Sequence, residues 1–110
     1  AKNILYIVLE DFSTLASSVF SPNEPHARTP HMARLAARGT VFQRAYCQAP
    51  LCNPSRTSFL TGRRPATTRV FTNMDAFPAA LPTLVDLLRR SDPSAQVACG
   101  GGKIFHVACN

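Results

Sequence analysis

The chain has 110 residues, 45% hydrophobic and 16% charged, enough for one small domain with a modest core and too apolar for a disordered segment. Its 12 Lys and Arg against 6 Asp and Glu give a net charge of +6, but the basic residues are scattered with no run longer than two, so the charge reads as a solvated surface and singles out no polyanionic partner. No stretch approaches the ~20 apolar residues that a membrane-spanning helix needs, and no signal peptide precedes the first apolar run.

Asn3 to Leu9 is a continuous, partly β-branched apolar run ending at Glu10-Asp11, which predicts a strand covered on both faces, as in a parallel sheet. Residues 12–28, with Pro22 and Pro25, read as a loop with room for one helical turn. Thr29-Pro30 supplies an N-cap and a first-position proline. Met32, Leu35 and Ala36 form an apolar stripe, and Gly39 ends that helix. Val41 to Cys47 predicts a second strand or an extended segment leading to Pro50. A further helix runs from Pro54 to Thr61, with Asn53 or Cys52 at its cap and Gly62 as its stop. Residues 63–80 read as a long loop. Leu81 to Arg90 predicts another helix with Leu84, Val85, Leu87 and Leu88 on its core face, stopped near Asp92-Pro93. Gln96 to Cys99 predicts a third strand feeding Gly100-Gly101-Gly102-Lys103. Strands alternating with helices in this order point to a layered α/β fold. There is no internal repeat, no low-complexity tract and no domain boundary.

The segment Cys52 to Arg56 concentrates chemistry in one turn of chain. A thiol at a helix N-terminus sits where backbone N–H groups and the macrodipole favour negative charge. Arg56 lies four residues beyond and faces the same way, so an anion held at Cys52 meets a guanidinium as well. The plainer reading of the isolated pair is a buried structural cysteine on an amphipathic helix. Cys47, Cys52, Cys99 and Cys109 contain no Cys-x-x-Cys, so no metal knuckle is encoded, and their spacing fixes no disulfide pairing. Glu10-Asp11 lies at the carboxyl end of the first predicted strand, where open α/β sheets hold ligands, and is either a pair of hard oxygen donors or a solvated acidic pair. Lys103 and His106 follow a glycine-rich turn. A phosphate-loop reading of that turn fails because Ile104 stands where a hydroxyl residue should hold magnesium. A lone His106 would be structural. His26 and His31 read as surface residues.

Leu51-Cys52-Asn53-Pro54-Ser55-Arg56-Thr57-Ser58-Phe59-Leu60-Thr61-Gly62-Arg63 resembles the signature of the type I sulfatases. Thr29-Pro30-His31-Met32-Ala33-Arg34-Leu35-Ala36-Ala37-Arg38-Gly39 is similar to a helix of the same family. Phe42, Ala45, Tyr46 and Pro50 fit its approach to the signature. Gly102-Lys103-Ile104-Phe105-His106 resembles its second motif in the form of iduronate-2-sulfatase-like members. The likeness covers nearly the whole chain, with residues 12–28 and 66–80 the poorest matches.

The resemblance implies a partial alkaline-phosphatase-like fold, a mainly parallel sheet flanked by helices. Because family members are several times longer, it also implies that residues 1–110 are the N-terminal part of a catalytic domain. It implies sulfate-ester hydrolysis in which Cys52, unpaired beforehand, is oxidised to formylglycine by a formylglycine-generating enzyme. The hydrated aldehyde attacks sulfur, the alcohol departs, and the second hydroxyl then expels sulfate. It implies catalytic roles for Cys52, Arg56, Lys103 and His106, with Arg56 and Lys103 as electrostatic clamps, and a structural role for Arg63. One calcium ion would be held by Glu10, Asp11 and the modified Cys52; Glu10 stands where the family usually has aspartate. Sulfated glycans or small sulfate esters would be substrates, with no nucleic acid partner and no membrane span, and with a lysosomal, secreted or periplasmic location. The rivals are a related phosphonate or phosphate ester hydrolase and an inactive truncated fragment, since Val107-Ala108-Cys109-Asn110 departs from the His-Pro usual there. A third is a basic nucleic-acid module on the helix at 30–38, which has two arginines and no aromatic platform.

Overall fold

The structure is a computed structural model that describes residues 3–91 and 100–106. The chain divides into two compact units, Lys2–Ala45 and Tyr46–Asn110.

In the first unit the regular elements are a 3-10 turn, Thr14–Ala16, and helix α1, Pro30–Ala36. Ser13 caps the turn through its Oγ, which accepts the Leu15 N–H at 3.2 Å. Pro30 opens α1 as expected, but Thr29 makes no side-chain cap bond to the helix. Its Oγ1 accepts the Ser18 N–H at 3.0 Å and bonds the Ser18 hydroxyl at 2.9 Å, so it joins the loop to the helix start instead. Ser17 and Ala27 are the buried residues of this unit. Of the expected stripe, Met32 and Ala36 are half-buried and Leu35 is exposed.

Two strand expectations are corrected here. Among the described residues there is no strand: Asn3 to Leu9 and Val41 to Cys47 carry no ladder, and Leu5 is 84% and Tyr46 82% exposed. A strand exists only through hydrogen bonds to a neighbour, and a run apolar on both faces also needs cover on both. No described segment supplies either. The parallel sheet expected from the sequence is therefore not formed by these residues. The expectation for Gln96 to Cys99 lies outside the described residues.

The second unit is built on helix α2, Cys52–Thr61, which packs against α3, Pro65–Thr68, and α4, Leu84–Ser91. Its C-terminus is closed by Gly62, whose left-handed backbone (φ 68°) lets its N–H reach the Ser58 carbonyl at 2.8 Å. Helix α3 falls inside the expected loop. Pro65 starts it and Arg69 ends it, with φ 62° and an N–H bond of 2.8 Å to the Pro65 carbonyl. Helix α4 starts at Leu84 and not at Leu81. Thr83 and Asp86 form a reciprocal cap, with Thr83 N–H donating to Asp86 Oδ2 at 2.8 Å and Asp86 N–H to Thr83 Oγ1 at 3.3 Å. Its Val85 and Leu88 are half-buried, while Leu84 and Leu87 remain exposed.

Helix α2 is buried yet polar. Asn53, Pro54, Arg56, Thr57, Ser58 and Thr61 are its buried residues, grouped with Val70 of the following segment. Buried polar atoms cost free energy unless they are bonded, so a helix of this kind must be tied to its surroundings by directed contacts and not by greasy packing alone.

Candidate active site

Helix α2 begins at Cys52, two residues before the proline expected to open it. Leu51 is the N-cap, and its carbonyl accepts the Ser55 N–H at 3.0 Å. Pro54 is nevertheless tolerated, because the third residue of a helix has no intrahelical partner for its N–H. Cys52 is thus a half-buried first-turn residue. The expected supply of vacant amides around it is reduced. Pro54 has none, and the Asn53 N–H donates to Asn73 Oδ1 at 2.9 Å.

Asn53, 1% exposed, also spends its side-chain amide on the loop that follows α3. Its Nδ2 donates to the carbonyls of Thr72, at 3.1 Å, and Asp75, at 2.7 Å. The Asp75 carboxylate folds the same loop, accepting the Phe71 and Thr72 N–H groups at 2.7 Å each. Those two amide bonds hold the Asp75 carboxyl below the ordinary carboxylate range. A depressed folded-state value stabilises the loop above the unfolded pKa, and that contribution is lost as pH falls through the folded value. Amide exchange should therefore show Phe71 and Thr72 protected at and above about pH 4, with protection falling only at more acidic pH. Loss of protection near neutrality would contradict this.

Arg56 stands one turn beyond Cys52 and is 6% exposed. Its Nη1 donates to the main-chain carbonyl of Lys103, 47 residues away in sequence. Gly102, at φ 78°, makes the left-handed turn that delivers this carbonyl. Lys103 itself is exposed. Phe105 meets Phe77 edge to face, with ring centroids 5.0 Å apart, which ties the same segment to the chain near Pro78. His106 is half-buried, and its Nδ1 is buried without a hydrogen-bond partner among the described residues. The structure thus joins Arg56 to the segment carrying Lys103 and His106.

Glu10 and Asp11 belong to the first unit. Both are exposed, and Asp11 adopts the left-handed region at φ 54°, which aspartate tolerates better than most residues. Consecutive carboxylates are hard oxygen donors of the kind calcium takes, but calcium needs about 6–8 oxygens. Among the described residues no group of three or more His, Cys, Asp and Glu gathers. The pair fits the ion in kind but falls short of a coordination shell.

Cys47 is an exposed free thiol. It helps to line a groove of about 380 Å³ beside α2 with Tyr46, Ser55, Ser58, Phe59 and Arg63. Arg63 and Arg64 are exposed, as are His26 and His31. Sequence reasoning missed Asn73 and Asp75, and named Asn53 only as a candidate cap. The one available signal was the density of turn-forming residues in Thr72-Asn73-Met74-Asp75, which announces a structured turn without saying what it grips.

Among the described residues no helix is long and apolar enough to cross a membrane. The family profile described as "Sulfatase" matches residues 2–92. A "Sulfatase" of Formosa agariphila is 42% identical over 69 residues, covering 63% of this chain and 13% of the relative. The iduronate 2-sulfatase of Mus musculus is 34% identical over 106 residues, 96% of this chain and 19% of the relative. The choline-sulfatase of Rhizobium meliloti is 35% identical over 91 residues, 81% of this chain and 17% of the relative. The chain spans less than a fifth of the length of these relatives. No solved structure matches it significantly. A profile match over most of the residues, spanning the helix that opens with Cys52 and carries Arg56 one turn later, leads to one assignment: the chain belongs to the sulfatase family.

Proposed function

We propose that the chain carries the nucleophile of a sulfate-ester hydrolase, within a layered α/β catalytic domain, and that Cys52 acts after conversion to formylglycine by a formylglycine-generating enzyme. The overall reaction adds water to an S–O ester bond and releases an alcohol, sulfate and a proton. One observation carries the reading. A half-buried Cys52 opens a buried helix in a sulfatase chain, and Arg56 one turn on grips the segment bearing Lys103 and His106.

The aldehyde hydrate supplies two hydroxyls on one carbon, the first to attack sulfur and the second to expel sulfate. Bound calcium would supply a fixed double positive charge, and Glu10 and Asp11 are hard oxygen donors that would hold it. The chain's own side chains do the rest. Arg56 adds a permanent cation at the base of the helix while fixing the Lys103 backbone. The exposed Lys103 ammonium, extending from that fixed point, offsets the charge that grows on oxygen as the S–O bond breaks. His106 is the side chain we assign to help hold the residue-52 nucleophile.

The Gly-Lys-Ile-Phe-His form, and a match to an iduronate 2-sulfatase over 96% of the chain, favour a sulfated glycan as substrate. The choline-sulfatase match supports a second reading, a small sulfate ester.

Peptide mass spectrometry across Cys52 in the native full-length protein tests the central claim. Conversion of the thiol side chain to an aldehyde lowers the peptide mass by about 18 Da. We expect that shift together with hydrolysis of a sulfated disaccharide in preference to choline sulfate. An intact thiol with no ester hydrolysis would reject the proposal, and the opposite preference would favour the small-ester reading.

A further inference from the structure

We infer that Asn53 and Asn73 are positioning residues that fix the orientation of residue 52, so that the loop 71–75 is a working part of the active site. The inference rests on the reading above. It comes from the way the first turn of α2 is held.

A helix end is ordinarily secured by its own flanking residue, yet Leu51 offers no side-chain cap here. The cap comes from Asn73, 20 residues further along, through its Oδ1 on the Asn53 N–H at 2.9 Å. The Asn53 side chain answers with two bonds, to the carbonyls of Thr72 and Asp75 at 3.1 and 2.7 Å. Three bonds in both directions make a clamp rather than a single hinge. The loop does not yield easily, because the Asp75 carboxylate has already folded it by accepting two of its amides. Cys52 is joined directly to the clamped residue, so the direction of its Cα–Cβ bond follows from the clamp. Reaction at sulfur requires in-line approach, and misplacing a reacting atom by about 1 Å can cost roughly 100-fold in rate.

The clamp makes a distinctive demand on variants. Asn73→Ala removes the acceptor and leaves the Asn53 N–H without its partner. Asn73→Asp keeps an acceptor at the same atom and adds negative charge that the helix end tolerates. Because Asn73 is half-buried on a loop, its replacement is milder than truncation of the buried Asn53.

The test is steady-state kinetics of both variants in the full-length protein with a sulfate ester as probe. Rates are expressed per mole of formylglycine at residue 52, below the thermal midpoint of each variant. We expect Asn73→Ala to lower kcat by about 10- to 100-fold with KM little changed. We expect Asn73→Asp to restore kcat to within about threefold while raising KM, since its charge repels an anionic substrate. A wild-type kcat in Asn73→Ala, or a kcat in Asn73→Asp no better than in Asn73→Ala, overturns the inference while the sulfatase reading stands. A wild-type protein with neither formylglycine nor activity removes the reading itself and this inference with it.

Discussion

Cys52→Ser is expected to stop turnover after a single event, with steady-state sulfate release falling by about 10⁴-fold or more. The prediction follows from counting hydroxyls. A hydrated aldehyde carries two on one carbon, so after the first has taken the sulfuryl group the second can lose its proton, re-form the carbonyl and eject sulfate. Serine has one. Once its oxygen has attacked sulfur and the alcohol has left, release would require water to attack a crowded anionic sulfur. The variant should therefore accumulate a sulfated serine, seen as an increase of about 80 Da on the peptide containing residue 52. Cys52→Ala should show the same loss of turnover with no mass gain, because it has no oxygen to modify. Both variants should keep the helix, since the residues that hold its first turn are Asn53 and its partners in the loop. Sustained turnover by the serine variant would mean that the aldehyde is not needed, and the cysteine would have to be assigned another role.

How much of this site could be read from the residues depends on the range of each interaction. The spacing of Cys52 and Arg56 on one helix and the stop at Gly62 are local, and the structure has both on α2 as read. The helix start was misjudged because its cap comes from Asn73, and no local rule links residues 20 apart in sequence. The start of α4 was misread although the signal was present: Leu81 precedes Pro82, which disfavours helical backbone, and Thr83-x-x-Asp86 is a cap. Helix α3 is four residues with two β-branched threonines, too short to show a period. The apolar run Asn3 to Leu9 announces a segment that wants burial on both faces, but burial pattern cannot name a pairing partner, and no described residue pairs with it. The family motif brought Lys103 to notice without revealing that its carbonyl accepts a bond from Arg56.

That carbonyl makes Arg56 the residue whose loss should act on stability and rate together. Arg56→Ala removes the buried guanidinium from its bond to Lys103, leaving the carbonyl without that donor and the helix with a void. A lost charge-assisted hydrogen bond and lost stem packing together cost about 2–3 kcal/mol. Arg56→Lys keeps the charge but replaces a planar fork by a point donor on a longer search, so it should recover only part of both effects. The kinetic consequence follows from the connection. Lys103 and His106 hang on the segment that Arg56 tethers, and Phe105 against Phe77 is another contact securing it. With the tether gone, the ammonium no longer starts from a fixed point, and a preorganised cation becomes a mobile one, with a loss in kcat of about 10²–10³-fold. Lys103→Ala separates the two contributions, because its backbone carbonyl remains for Arg56 while the ammonium disappears. It should show part of the rate loss of Arg56→Ala, with a smaller fall in thermal midpoint. If Lys103→Ala proves as unstable as Arg56→Ala, the side chain of Lys103 is a structural element and the assignment of its charge to the breaking bond is wrong.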